Sequence, residues 1–262
     1  MTYLALARAG FRRWSSYRAA TLAGIFTNTV FGFIRVAILL AALRAGGNIA
    51  GYSEADAITY TWVTQALIMM IAMWNWVDLA TRIQTGDIVT DLQRPIDLQA
   101  AYLSEDQGRA LYQLLARGLP PFLVGALVYD LKFPESIGQW IAFALSLELA
   151  VIVSFGMRFI VNLFAFWVLD WRGLLALSSA FTTVASGFVI PIAFFPTWAA
   201  RLFTVLPWAA MIQTPIDVFI GRRTGPTLAS GLALQVFWAI TLLGLGRILL
   251  ARAAQRVVVQ GG

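Results

Sequence analysis

The chain has 262 residues, of which 60% are hydrophobic and only 12% charged, with a formal net charge of +6. Soluble domains are about 45–50% apolar and about 25% charged, so this chain has too few polar residues to cover a wet surface and reads as an integral membrane protein. It contains no Cys and no His, which excludes disulfides, thiolate and imidazole metal sites and Ser-His-Asp chemistry, and its one lysine, Lys132, follows no G-x-x-x-x-G-K-[ST] stretch, so the chain has no P-loop.

In chain order, residues 1–18 come first. Arg8, Arg12, Arg13 and Arg18 alternate there with Leu4, Leu6, Phe11, Trp14 and Tyr17, which predicts a basic amphipathic helix lying in the membrane interface. Six apolar runs follow at 21–43, 60–80, 119–131, 137–166, 174–195 and 228–250. A span needs roughly 20 apolar residues. The third run is short and is expected to begin near Leu114, with Pro120 and Pro121 kinking its start. The fourth exceeds what a bilayer requires and must tilt or project. Two connections are long. Residues 82–118 form a polar loop. Residues 196–227 are too apolar for a wet loop and are cut by Pro196, Pro207 and Pro215, which suits a re-entrant helical hairpin packed in protein. Residues 252–262 read as a short tail.

With the N-terminus inside, twelve of the 19 basic residues fall on the cytoplasmic side and five outside, Arg35 and Arg158 lying within apolar runs. The positive-inside rule then favours six spans with both ends cytoplasmic. This scatter of arginines sets topology and argues against a nucleic-acid partner.

Arg35, Glu148 and Arg158 lie inside apolar runs, where an arginine costs about 2.5–3.5 kcal/mol on insertion scales. They, with Asn162, are candidates for a translocation path; structural pairing or snorkelling is the alternative. Arg35 and Glu148, both in the outer half, could pair. Asp78 and Arg82, at i and i+4, suit a helix-end ion pair. Trp62, Trp74, Trp76, Trp140, Trp167, Trp171, Trp198 and Trp208 fall near span ends and suit an interfacial belt. Pro191, Phe195, Pro196, Trp198, Pro207 and Trp208 mark the bend into the outer segment and are candidates for an outer gate. Gly24, Gly32, Gly244 and Gly246 would permit close helix contact in a dimer. In the loop at 86–95, Asp87 and Asp91 suit a helix N-terminus and Pro95 its end; an ordinary polar loop has the same residues.

Three stretches carry a resemblance: TGDIVTDLQRPID at 85–97 with a short helix around 108–115; SGFVIPIAFFPTW at 186–198 followed by LPW at 206–208 and TPIDVFIG at 214–221; and FWVLDWRG at 166–173. Together with the span count and the N-terminal helix, they resemble the permeases of ABC-2 type transporters over nearly the whole chain. The resemblance implies an all-α integral membrane fold: six transmembrane helices, an N-terminal interface helix, a cytoplasmic coupling helix and an outer re-entrant hairpin between spans five and six, in one domain over 1–262. It implies a non-enzymatic transmembrane subunit, usually of an exporter. Such a subunit pairs with a second permease as homodimer or heterodimer, sits in plasma-membrane lipid, and docks separate ATPase subunits that bind ATP and Mg; this chain itself binds no cofactor. Gly86, Asp87, Asp91, Leu92, Arg94 and Pro95 would form or flank the coupling helix. An apolar or amphiphilic cargo suits the sparse charge within the spans. The alternative is an ATP-independent secondary carrier or channel, which commonly shows inverted repeats; none is evident here.

Overall fold

The computed structural model describes residues 2–46, 49–72, 78–168 and 170–260. Among these the secondary structure is helical throughout. Helix α1 (Thr2–Ser15) is amphipathic, as its arginine spacing predicts, and its buried position is Gly10. A Cβ at Gly10 would collide with the backbone of Glu105, and one at Gly108 with the carbonyl of Ala7. Two glycine notches therefore let α1 lie directly on the helix that carries Glu105. Phe11 meets Tyr112 edge-on at 5.4 Å beside them.

Helix α2 (Arg18–Gly46) buries one stripe, Gly24, Asn28, Gly32, Val36, Leu39 and Leu43, at three- and four-residue spacing. Its other face exposes Leu22, Phe26, Phe31, Ile34 and Ile38, apolar as a lipid-facing surface must be. Helix α3 (Glu54–Leu67) starts with a capping box between Ser53 and Asp56 and is buried on nearly every side. The chain then leaves regular helix through a turn at 68–72 in which Ala72 has φ +51°, and the next described helix is α4 (Asp78–Thr85). The predicted second span is thus discontinuous. Trp74 and Trp76, assigned above to a span end, lie outside the described residues.

After α5 (Ile88–Leu92), α6 (Leu98–Gln113) runs through a π-turn, Leu114–Gly118, into α7 (Leu119–Val128). The expected loop at 82–118 therefore ends not in a loop but in one helical rod over 98–128. The π-turn closes with Leu119 N donating to Leu114 O just before Pro120 and Pro121, which have no N–H to donate, and the helix continues through them.

Helix α8 (Ile137–Leu163), capped by Ser136, is the central post. Helix α9 (Trp171–Ala185) is the helical part of the predicted fifth span. The outer segment folds as three short helices, α10 (Thr197–Val205), α11 (Pro207–Met211) and α12 (Gln213–Phe219), the last two buried against α8. Helix α13 (Gly225–Gln260) takes in the expected tail, since residues 247–260 hold no Gly or Pro. Gln235, fully buried, donates to the carbonyls of Ser146 (2.9 Å) and Ala210 (2.8 Å) and accepts from the Ser146 hydroxyl (2.9 Å), which ties α13 to α8 and α11. Four helical stretches among the described residues are long and apolar enough to span a membrane: Arg18–Gly46, Leu98–Val128, Ile137–Phe166 and Gly225–Gln255.

Two expectations change. Trp62 is no belt residue: it is fully buried in a slot between Gly32 and Gly125. Gly24, Gly32 and Gly246 are likewise spent within the chain, against Arg117, Trp62 and the Gln99–Phe159 pair; only Gly244 meets nothing.

Candidate functional sites

On the predicted cytoplasmic side, Gly86 turns the chain at φ +82° into α5. Asp87 stands at the N-cap position and makes no cap hydrogen bond; it accepts from the Thr85 hydroxyl at 2.8 Å. Asp91 is buried. It accepts from Arg82 Nε at 2.6 Å and from the Tyr102 hydroxyl at 3.2 Å, with Arg94 at 3.7 Å. Asp91 is therefore an anchor between α4, α5 and α6, not a helix-dipole residue. Ile88 and Leu92 pack under it with Leu79, while Val89, Arg94 and Pro95 stay exposed. Asp78 pairs with Arg13 of α1 at 2.7 Å, so the expected Asp78–Arg82 pair does not form; the tertiary partners are nearer. A polar cavity of about 360 Å³ lies between α1, α5 and α6, lined among others by Arg13, Arg82, Asp91 and Glu105.

Beneath it sits a buried charge cluster. Asp106 accepts from Arg109 Nε at 2.6 Å and from Arg158 Nη2 at 2.7 Å. The remaining nitrogens of Arg109 donate to the carbonyls of Met69 (2.7 Å) and Met70 (2.8 Å), and Ser154 donates to that of Ile71. These carbonyls lie in the turn that follows α3, where that of Met69 also accepts from Ala72 N at 3.3 Å, and a cation is the favourable group just past a helix C-terminus. Asn162 accepts from Ala80 N at 3.0 Å and donates to Arg158 O at 2.8 Å, satisfying α4 near its start. Asp106, Arg109 and Ser154 escaped the sequence reading. Their only local signal is an i, i+3 acid–base pair before an apolar run.

On the outer side, Gln213 is the hub. Its Oε1 accepts from the Tyr60 hydroxyl (2.8 Å) and Ile192 N (2.9 Å), and its Nε2 donates to Asp217 (2.7 Å) and the Tyr52 hydroxyl (3.2 Å). Tyr60 also donates to Gly187 O at 2.6 Å. Burial pushes the Asp217 carboxyl up to about 6, with Arg223 opposing, and pushes the Tyr52 phenol up as well. The expected gate residues divide. Pro191 is buried, Trp198 is exposed, and Pro196 and Pro207 start α10 and α11. Trp208 donates to Thr182 at 3.0 Å and stacks edge-on against Phe181, while Phe195 meets Phe203.

Arg35 does not meet Glu148. Its Nη2 donates to the carbonyls of Phe188 and Val189, and its guanidinium lies 4.5 Å from the centre of the Phe188 ring. Glu148 accepts from Gln107 instead, because the two residues face different neighbours around their helices. Arg35 lines a cavity of about 480 Å³ between α2, α3 and the 188–191 turn.

The family model described as "ABC-2 family transporter protein" matches residues 11–261, nearly the whole chain. The chain belongs to the ABC-2 transporter family. It is thus a membrane protein, and family membership makes it a transmembrane subunit, generally not itself catalytic, that associates with an ABC ATPase. Comparison with curated proteins and with solved structures gives no match. In this ABC-2 protein the described residues hold no cluster of His, Cys, Asp and Glu able to bind a metal.

Proposed function

We propose that this ABC-2 subunit is the permease of an ATP-driven exporter. It would sit in plasma-membrane lipid with both termini cytoplasmic and pair with a second permease. The partner ATPase would bind ATP and Mg. The segment of Gly86, Asp87, Asp91, Leu92, Arg94 and Pro95 is the ATPase-coupling element, with Gly86, Asp87, Arg94 and Pro95 on its exposed face and Asp91 and Leu92 anchoring it from beneath. Asp91 carries the reading: buried under an exposed polar segment, it fastens α5 to α6, and α6 is one rod with the span that follows. A push on α5 is therefore delivered to membrane depth without a flexible joint. Cargo is apolar or amphiphilic, and Arg35 faces its path.

Co-expression with the ABC ATPase tests this. Tagged permease retains the ATPase, and Asp91→Asn lowers cargo-dependent ATP hydrolysis while the complex still assembles. A permease that never retains an ATPase, with transport indifferent to ATP, identifies a secondary carrier or channel instead.

A further inference from the structure

The cavity beside Arg35 has a lopsided chemistry. Its walls are apolar: Phe31, Ile34, Ile38, Ile68, Val189 and Ile190. Its lining includes no carboxylate. Two buried donors there have no partner, Arg35 Nη1 and Asn28 Nδ2, and Asn28 is only 8% exposed. The contrast with Arg109 and Arg158 is direct. Those two share Asp106, whereas Arg35 has no acid partner among the described residues. An unpaired cation and an unpaired amide donor in an apolar cleft are each costly unless something supplies acceptor oxygens. A plain hydrocarbon chain would leave both unsatisfied.

Asn28 and Arg35 are seven residues apart, two turns along one face of α2 and about 10 Å by helical rise. The volume, about 480 Å³, lies within the roughly 300–1,000 Å³ of small-molecule sites. Phe31, Ile34 and Ile38 are exposed at its edge, so it opens sideways from α2. We propose that this cavity binds a single-chain anionic amphiphile. Its carboxylate or phosphate head lies between the Arg35 guanidinium and the Asn28 amide, its oxygens accepting from both, and its chain packs on Phe31, Ile34 and Ile38 at the open edge. This deepens the transporter reading by naming the class of cargo, yet it is testable by binding alone.

The probe is a diazirine-bearing hexadecanoic acid, with the matching hexadecanol, photo-crosslinked to the purified full chain in neutral detergent. The acid labels 27–38 and 188–191, roughly tenfold more than the alcohol, as a charge-assisted contact requires. Arg35→Gln abolishes the preference and Arg35→Lys restores most of it. Asn28→Asp, which puts a negative charge where the head would lie, reduces labelling by the acid and not by the alcohol. Competition by hexadecanoate or by hexadecyl phosphate supports the site and tells which head it takes. Equal labelling by acid and alcohol overturns the proposal, as do crosslinks centred on the outward-facing Leu22 and Phe26 or indifference to both substitutions. Labelling needs neither ATP nor the ATPase. Its failure leaves the exporter reading standing, and loss of ATPase association leaves the binding site standing.

Discussion

Where α3 ends, the carbonyls of Met69 and Met70 are met by the guanidinium of Arg109, itself held by Asp106; at the outer hairpin, Gly187 O and Ile192 N are met by the Tyr60 phenol and the Gln213 amide. Both places take the backbone out of regular helix in an apolar setting, and both need every freed polar group satisfied. One uses charge and the other mainly neutral groups. The charged brace joins α3, α6 and α8 beneath the α5 anchor, so it ties the break in the second span to the proposed ATPase contact. The neutral brace holds the 186–192 turn and α12 beside the apolar cavity, where a strong fixed charge would compete with Arg35. A buried ion cluster cannot lose one member cheaply, because its partners are left charged and unpaired. A neutral hub loses its bonds more nearly one at a time.

Four substitutions break or sharpen this contrast. Asp106→Ala strands Arg109 and Arg158 and costs about 3–5 kcal/mol, read as a fall in thermal midpoint of the detergent-solubilised chain and as new protease sensitivity near 69–72. Gln213→Leu removes the hydrogen bonds to Tyr52, Tyr60, Ile192 N and Asp217 yet costs less, about 1–3 kcal/mol; an effect equal to that of Asp106→Ala would erase the distinction between the two braces.

The Asp217 carboxyl, at about 6, sits above the ordinary value of about 3.9, so the folded state holds that proton more tightly than the unfolded chain. Its contribution is fully present below about pH 4 and is lost as pH rises through 6, on the order of 2 kcal/mol. Stability measured from pH 4 to 7.5 falls across that window in the wild type, and Asp217→Asn flattens the slope. Tyr60→Phe is the mildest change. It removes one hydroxyl and costs about 1 kcal/mol, measured against Gln213→Leu in a double-mutant cycle. The two should couple, since they share a bond; additive effects would place Tyr60 outside the hub.

The legible parts were those that depend on local composition. The amphipathic α1, the long apolar helices α2, α8 and α13 and the proline-cut outer segment all follow from runs and spacing. Pairings were another matter. Within the 60–80 run residues 66–74 are all apolar, so nothing there marks the break; the partners that satisfy it, Arg109 and Ser154, are far away in sequence. Depth in the bilayer suggested that Arg35 and Glu148 pair, but helical phase turns them to different neighbours. Trp62 sat near a predicted span end, yet Gly32 and Gly125, on two other helices, open the slot that buries it. Gly10 and Gly108 carry no signal separately, and only their juxtaposition explains why α1 rests on α6.

By itself the sequence determined that this chain enters a membrane, that its helices are apolar on the outside, and that it cannot supply a P-loop of its own. Those conclusions hold because transfer of side chains into lipid is nearly additive along the chain. Only the tertiary structure decided which of the buried charges are spent on the fold and which is left over. Arg109 and Arg158 share one aspartate across the contact of α6 and α8, while Arg35 keeps an unmet donor beside a cavity. Pairing energies depend on distances of a few ångströms between residues far apart in sequence, and no local pattern encodes those distances.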